Sequence, residues 1–261
     1  MKKVLFYPDP PIQLPKHSLS KTIIYFQIAG YDLTNDIDSD WDIAVHWTRM
    51  DDDKIRCEVP ERLRNDKRLV LNRNLCDISK SYVDSVFTEV FGYSSMANTD
   101  AYGYCVRKSE RQSAHDGEIV KTPCKREPGY VYQKLIDNRI AVDMVYDIRV
   151  LIFLGKIPIV FIKSKSVEGS FEHTKAIKKK YWVADVGEFI TPEEQSLIIS
   201  FCEKIGMDLG EIDALRDNST GLLYLTDLNH TPGANIYRYI KDGDDIRDRL
   251  ALFLRQQIER Q

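Results

Sequence analysis

Cysteine is scarce and unpatterned in this chain. Cys57, Cys76, Cys105, Cys124 and Cys202 are its five cysteines, and no two have Cys-x-x-Cys spacing. An odd, scattered set argues against a disulfide frame and a thiolate zinc site, and reads as free thiols in a reducing compartment. Long apolar runs are missing too: nothing approaches the roughly 18 residues a membrane span needs. The opening "MKKVLFYPDPP" has two lysines but only four apolar residues before Pro8. That is too short for the apolar region of a signal peptide and reads better as a first strand, so a cytoplasmic location is expected. Nor is there an excess of one charge. A net charge of −3 argues against broad electrostatic association with nucleic acid or membrane. Internal repeats, low-complexity tracts, a nucleophile elbow and a Cys–His nucleophile pattern are all lacking.

What is present is an ordinary globular composition, 43% hydrophobic and 30% charged over 261 residues. That length suits one large domain or two to three lobes. Strands are expected at 4–7, 42–47 and 68–72, with a helix over 18–30 ended by Gly30, so residues 1 to about 75 read as a small α/β lobe. A helix over 79–92 has Ser79 as its N-cap and Gly92 as its end. Strands of a small antiparallel sheet follow at 101–109, 118–123 and 129–136. Residues 145–165 form a hairpin that turns at Gly155. Thr191, Pro192 and Glu194 open the next helix, over 191–207, with a capping box. A hairpin over 210–229 and a helix over 245–261 complete the chain. The basic stretch "KAIKKKYW" (175–182), interleaved with aromatics, is too short for a nucleic-acid claim and reads equally as a loop over an anionic substrate. His17, His46 and His173 are single histidines without paired spacing.

The hairpin over 210–229 carries the chemistry. Its last strand runs into "TDLNHTPG" (226–233). Alternation puts Leu223, Leu225, Asp227 and Asn229 on one face. Pairing symmetric about Thr220 sets Asp213 opposite Asp227 and Glu211 opposite Asn229. Facing carboxylates about 5 Å apart repel unless a cation or a proton lies between them. Oxygen-only ligands with a neutral amide suit Mg²⁺. A strand-end Asp-x-Asn also makes Asx-turns. Pro232-Gly233 then breaks the strand, and His230 points to the opposite face unless the chain has already turned.

In order along the chain come "QKLI" (133–136), "DIRV" (147–150), "FIKSK" (161–165), "ITPEE" (190–194), "EIDALR" (211–216) and "TDLNHTPG". This succession resembles the ATP-grasp superfamily, most closely the ligases that add glutamate to a ribosomal protein, over about residues 79–233. The resemblance implies an α+β fold, with an α/β N-terminal lobe (1–77) ahead of a two-lobed ATP-grasp unit with antiparallel sheets (78–137 and 138–261). It implies that Asp213, Asp227 and Asn229 hold one or two Mg²⁺ ions, with Mn²⁺ as an alternative. Lys80 and Lys108 would hold the phosphates of ATP. Gln133, Lys134, Leu135 and Ile136 would form the adenine hinge, and Asp137 or Asp143 would hold the ribose. Arg149 would face the transferred phosphate or the acyl substrate, oriented by Asp147. Lys163 and Lys165 stand where the family carries arginines, and Asp227 where it carries Glu. The loop "SERQSAHDGEIV" (109–120) is poor in glycine where the family's is rich, and His115 and Asp116 replace small residues.

The implied activity is an ATP-dependent carboxylate–amine ligase acting through an acyl phosphate, with residues 109–117 as a lid. Its partners would be ATP, a carboxylate substrate and an amine acceptor, with no nucleic acid and no membrane, and with a homodimer left open. Two alternatives stand beside it: an ATP-grasp phosphotransferase on a hydroxyl acceptor, and a non-catalytic nucleotide-binding module.

Overall fold

A computed structural model describes residues 2–8, 20–48, 59–111, 114, 116–167, 179–233 and 235–261. Readings attached to His17, Cys57, His115, His173 and residues 175–178 lie outside the described residues. Cys76, Cys105, Cys124 and Cys202 are free thiols, as expected. No helix among the described residues is long and apolar enough to cross a membrane.

The chain opens with β1 (Lys3–Pro8), α1 (Lys21–Ile28), β2 (Asp32–Thr34), β3 (Ile43–Trp47), α2 (Glu61–Arg64) and β4 (Leu69–Leu71). The strands form a parallel sheet in the order β2-β1-β3-β4. Alternation along β1 decides its packing. Val4 and Phe6 face a core shared with α1, whereas Leu5 faces Trp41, Leu63 and Val70 on the other side. The short β2 and α2 carry too few apolar residues to stand out in the sequence.

Next come α3 (Lys80–Phe91), β5 (Gly103–Ser109), β6 (Glu118–Thr122) and β7 (Tyr130–Lys134), the strands pairing antiparallel in the order β6-β5-β7. Ser79 Oγ accepts from Tyr82 N, and Gly92 ends the helix at φ +80°, a left-handed conformation that glycine adopts without steric cost.

The third sheet is the largest. It is built from β8 (Arg139–Ala141), β9 (Met144–Phe153), β10 (Val160–Ser166), β11 (Lys179–Ala184), β12 (Leu209–Arg216) and β13 (Leu223–Asn229), with α4 (Val186–Phe189), α5 (Pro192–Ile205), a 3₁₀ turn (Asn235–Tyr239) and α6 (Gly243–Ile258). Its order is β11-β10-β9-β12-β13, with β8 beside β9. The stretch read as a basic loop is instead, over its described residues, the start of edge strand β11, where Lys179 and Lys180 pair with Lys165 and Ser164. Ile148, Val150 and Ile152 of β9, with Ile162 and Ile212, pack against α3 and α5. Leu151 and Phe153 pack the other way, against α1 and α6. The last helix therefore closes back on the first lobe.

Candidate active site

Alternation sorts core from chemistry on the large sheet. Asp147 and Arg149, Lys163 and Lys165, and Glu211 and Asp213 fall between the apolar residues that face α3 and α5, so they share the opposite face. Register then lines them up. Arg149 lies opposite Phe161 on one side and Asp213 on the other, Asp213 lies opposite Asp227, and Glu211 lies opposite Asn229. Both carboxylate pairings expected from the hairpin are present.

The hairpin also departs from simple alternation. The register shifts between Asp213 and Ala214, so Ala214 pairs with Leu225 and Thr226 is the extra residue. Thr226 Oγ1 donates to the Asp213 carbonyl at 3.1 Å. Beyond this bulge the faces exchange. Leu223 and Leu225 join the α3/α5 core rather than sharing a face with Asp227. The bulge thus lets a strand buried along most of its length end with its acids turned away from the core.

Arg149 is the central cation. Its Nε and Nη2 donate to both oxygens of Asp213, at 2.7 and 3.1 Å, and its Nη1 is 3.5 Å from Glu211. Such a two-point pair fixes the plane of the guanidinium. Asp147 does not orient it, as the sequence suggested. Asp147 accepts from Lys165 at 3.0 Å, a diagonal contact, since its register partner on β10 is Lys163 and Lys165 stands two residues farther along the same face. The facing acids have unequal surroundings. Burial would raise the Asp213 carboxyl, but Arg149, aided by Lys163 and Lys165, holds it below the usual range. Burial raises the Asp227 carboxyl and Asp213 adds to that rise, while Lys80 and Lys108 counter only part of it. Burial in turn lowers the Lys108 and Lys163 ammonium groups. Lys80 Nζ donates to the Arg111 carbonyl at 3.0 Å.

Asp227 accepts from Leu228 N at 3.1 Å, and Asn229 Oδ1 from Thr231 N at 3.1 Å. The Asx-turn is therefore real, yet an amide oxygen has a second lone pair. Among the described residues no group of three or more His, Cys, Asp or Glu side chains stands in metal-binding geometry. The donor set here is two carboxylates and an amide. An under-compensated Asp227 beside Asp213 and Asn229 fits a hard divalent cation that keeps several waters.

The remaining expected residues are placed as follows. Gln133 is buried on β7 with its Oε1 lacking a hydrogen bond, and Lys134 lies over the Tyr224 ring at 5.2 Å. Leu135 is exposed, and Ile136 packs on the α3/α5 core. Asp143 is not gathered with them. With Ile140, Met144, Ser164 and Trp182 it lines a cavity of about 690 Å³ on the side of the sheet away from Arg149. Asp137 is bound to Arg139 at 2.7 Å. His230 does not face the acids. It is buried with Nε2 on the Thr48 carbonyl, and burial, with His46 adding, lowers its imidazole to about 4. Two groups escaped the sequence reading as site residues: Glu211, whose pairing with Asn229 was visible, and Lys21, which nothing marked.

The fold is that of the ATP-grasp ligases. Over 98% of this chain and 96% of the other, it is similar to the structure of ATP-grasp ligase PsnB with a minimal precursor, Mg and ADP, at TM-score 0.60 and 11% identity. It is also similar to a RimK-domain ATP-grasp protein from Sphaerobacter thermophilus, at TM-score 0.53 and 9% identity over 98% of each chain. D-alanine–D-alanine ligase from Bacillus anthracis gives TM-score 0.53 and 12% identity over 98% of this chain and 99% of that one. Against another PsnB structure the matched part spans 64% of that chain. No protein-family profile and no curated protein matches the sequence.

Proposed function

We propose that the chain is an ATP- and Mg²⁺-dependent carboxylate–amine ligase acting through an acyl phosphate. The observation that supports it most is the pairing of Asp213 with Asp227, beside Asn229, on the face that also carries Arg149, Lys163 and Lys165. Asp213, Asp227 and Asn229 would hold Mg²⁺, which supplies charge neutralisation at the phosphate oxygens of bound ATP. Mn²⁺ would satisfy the same ligands.

The protein's own groups divide the remaining work. Lys80 and Lys108 offer two cations from α3 and β5 to the phosphates. Arg149, held flat by Asp213, presents its remaining N–H groups to the acidic substrate and steadies two anions as they approach. Lys163 and Lys165 extend that positive surface. The backbone of Gln133–Ile136 reads the adenine edge, and Asp137, which directly follows it, holds the ribose. Residues 109–117 keep water from the acyl phosphate, which an amine then attacks with release of phosphate. The N-terminal lobe helps to bind the acceptor, and the protein works in the cytoplasm. The PsnB structure contains a precursor, so peptides are the first pool in which to seek the carboxylate and the amine.

The test is mass spectrometry of products after incubation with ATP, Mg²⁺ and a cell extract. ADP together with a new amide is the expected result. A phosphorylated hydroxyl compound without an amide would overturn the ligase in favour of a phosphotransferase. Tight ATP binding without turnover would leave a nucleotide-binding module.

A further inference from the structure

Lys21, the first residue of α1, is fully buried although it is a lysine at a helix start. Its Nζ donates to Glu211 Oε1, and both side chains are 0% exposed. The ammonium lies 4.3 Å from the Phe161 ring centre and 5.7 Å from that of Tyr237, so aromatic faces supply the rest of its surroundings. Its backbone N–H donates to the Pro232 carbonyl at 2.9 Å, and Ser20 bridges to Gly233. One residue of the first lobe thus grips both arms of the acid-bearing hairpin, β12 through Glu211 and the segment after β13 through Pro232.

Glu211 passes the contact on. Its second oxygen, Oε2, is buried without a hydrogen bond and lies 3.5 Å from Arg149 Nη1. The opposite edge of the same guanidinium is held by Asp213. A buried ion pair adds little to stability compared with apolar groups of equal volume, so its retention here calls for another reason.

We infer that Lys21 is a positioning residue: by fixing Glu211 between the first lobe and Arg149, it sets the orientation of the arginine that faces the reacting anions. The inference rests on the ligase reading. Loss of Lys21 alone leaves a buried carboxylate without its ammonium, so Lys21→Met is expected to melt early. Lys21→Met combined with Glu211→Leu removes both charges and restores the melting temperature.

The measurement is ADP formation from Mg²⁺·ATP with a cell extract as the source of substrates. In the double variant kcat is expected to fall at least tenfold while KM for ATP stays within threefold of the wild type. A merely structural pair would leave both unchanged once the fold is restored. Glu211→Gln is the second variant. It keeps the side-chain volume and an oxygen for Lys21 but loses the charge toward Arg149, and the same fall in kcat is expected. Wild-type kcat in a folded double variant, or in Glu211→Gln, overturns the inference and leaves the ligase reading intact. A wild-type protein that forms no ADP overturns both.

Discussion

Two acids that face each other across a hairpin share the site, but only one has an arginine. Asp213 is held at both oxygens by Arg149, while Asp227 has one backbone N–H and two lysines acting on it from the small lobe. The less compensated charge is therefore on Asp227. Replacing it with Asn removes the cost of burying a charge and the repulsion with Asp213, along with the attraction of Lys80 and Lys108, without changing side-chain volume. Asp227→Asn is expected to melt at or above the wild-type temperature in metal-free buffer, as followed by circular dichroism. It should lose Mg²⁺-dependent ADP formation by about 100-fold or more, the scale of losing one preorganised electrostatic contact at a reacting centre. Activity within a few-fold of wild type would remove Asp227 from the metal set. These acids were legible because strand alternation and a central turn fix which residues face each other. Lys21 was not, since a lysine at a helix start ordinarily lies in solvent and only the approach of β12 buries it. Spacing along one strand assigns Asp147 to Arg149, but Lys165, diagonal to it on the neighbouring strand, takes its carboxylate instead.

Elements with chemical punctuation were the easiest to read. Helix α5 has the expected capping box, with Glu194 N donating to Thr191 Oγ1 at 3.2 Å and Thr191 N to Glu194 Oε2 at 2.9 Å. Glu194 also receives Arg216 of β12 at 2.7 Å, so one carboxylate caps the helix and ties it to the sheet. Burial would raise this carboxyl, but the Arg216 and Thr191 hydrogen bonds hold it below the usual value near 4.5. A depressed folded-state value means stability that is present above the unfolded value and lost as pH falls through the folded one. Glu194→Gln should therefore lower the melting temperature at about pH 6–7, with the gap to wild type closing below about pH 4. A gap that stays constant across that range would mean that the charge contributes nothing. Elements defined by neighbours rather than by their own residues were harder to read. Edge strand β11 starts with two lysines and gains its identity from pairing with β10. The bulge at Thr226 has no sequence signal comparable to a glycine turn, yet it changes which side of the sheet Leu223 and Leu225 occupy.

At the scale of the molecule, the first lobe and the large sheet share one core. Val4 and Phe6 of β1, Phe26 of α1, Leu151 and Phe153 of β9, Phe161 of β10, and Leu250 and Leu254 of α6 form a single buried cluster. Polar clasps run alongside it. Asn72, at φ +57°, donates its backbone N–H to the Asp208 carboxylate and its Nδ2 to the Leu209 carbonyl, its Oδ1 accepts from Asp208 N and Leu209 N, and His230 meets the Thr48 carbonyl. Sequence order conceals this union, because α6 closes the chain while β1 opens it. The expected consequence is that the two regions unfold together. Leu254 is fully buried, and Leu254→Ala should cost about 2–5 kcal/mol. The three tryptophans give separate reporters, since Trp41 and Trp47 lie in the first lobe and Trp182 on β11. Fluorescence melts of a Trp182→Phe background follow the first lobe, and melts of a Trp41→Phe/Trp47→Phe background follow the large sheet. Introducing Leu254→Ala should lower the midpoint by the same amount in both, in a single transition each. If the first-lobe signal shifts while Trp182 holds its midpoint, the lobes are separately stable. A rigid path from α1 through Lys21 and Glu211 to Arg149 would then have no basis.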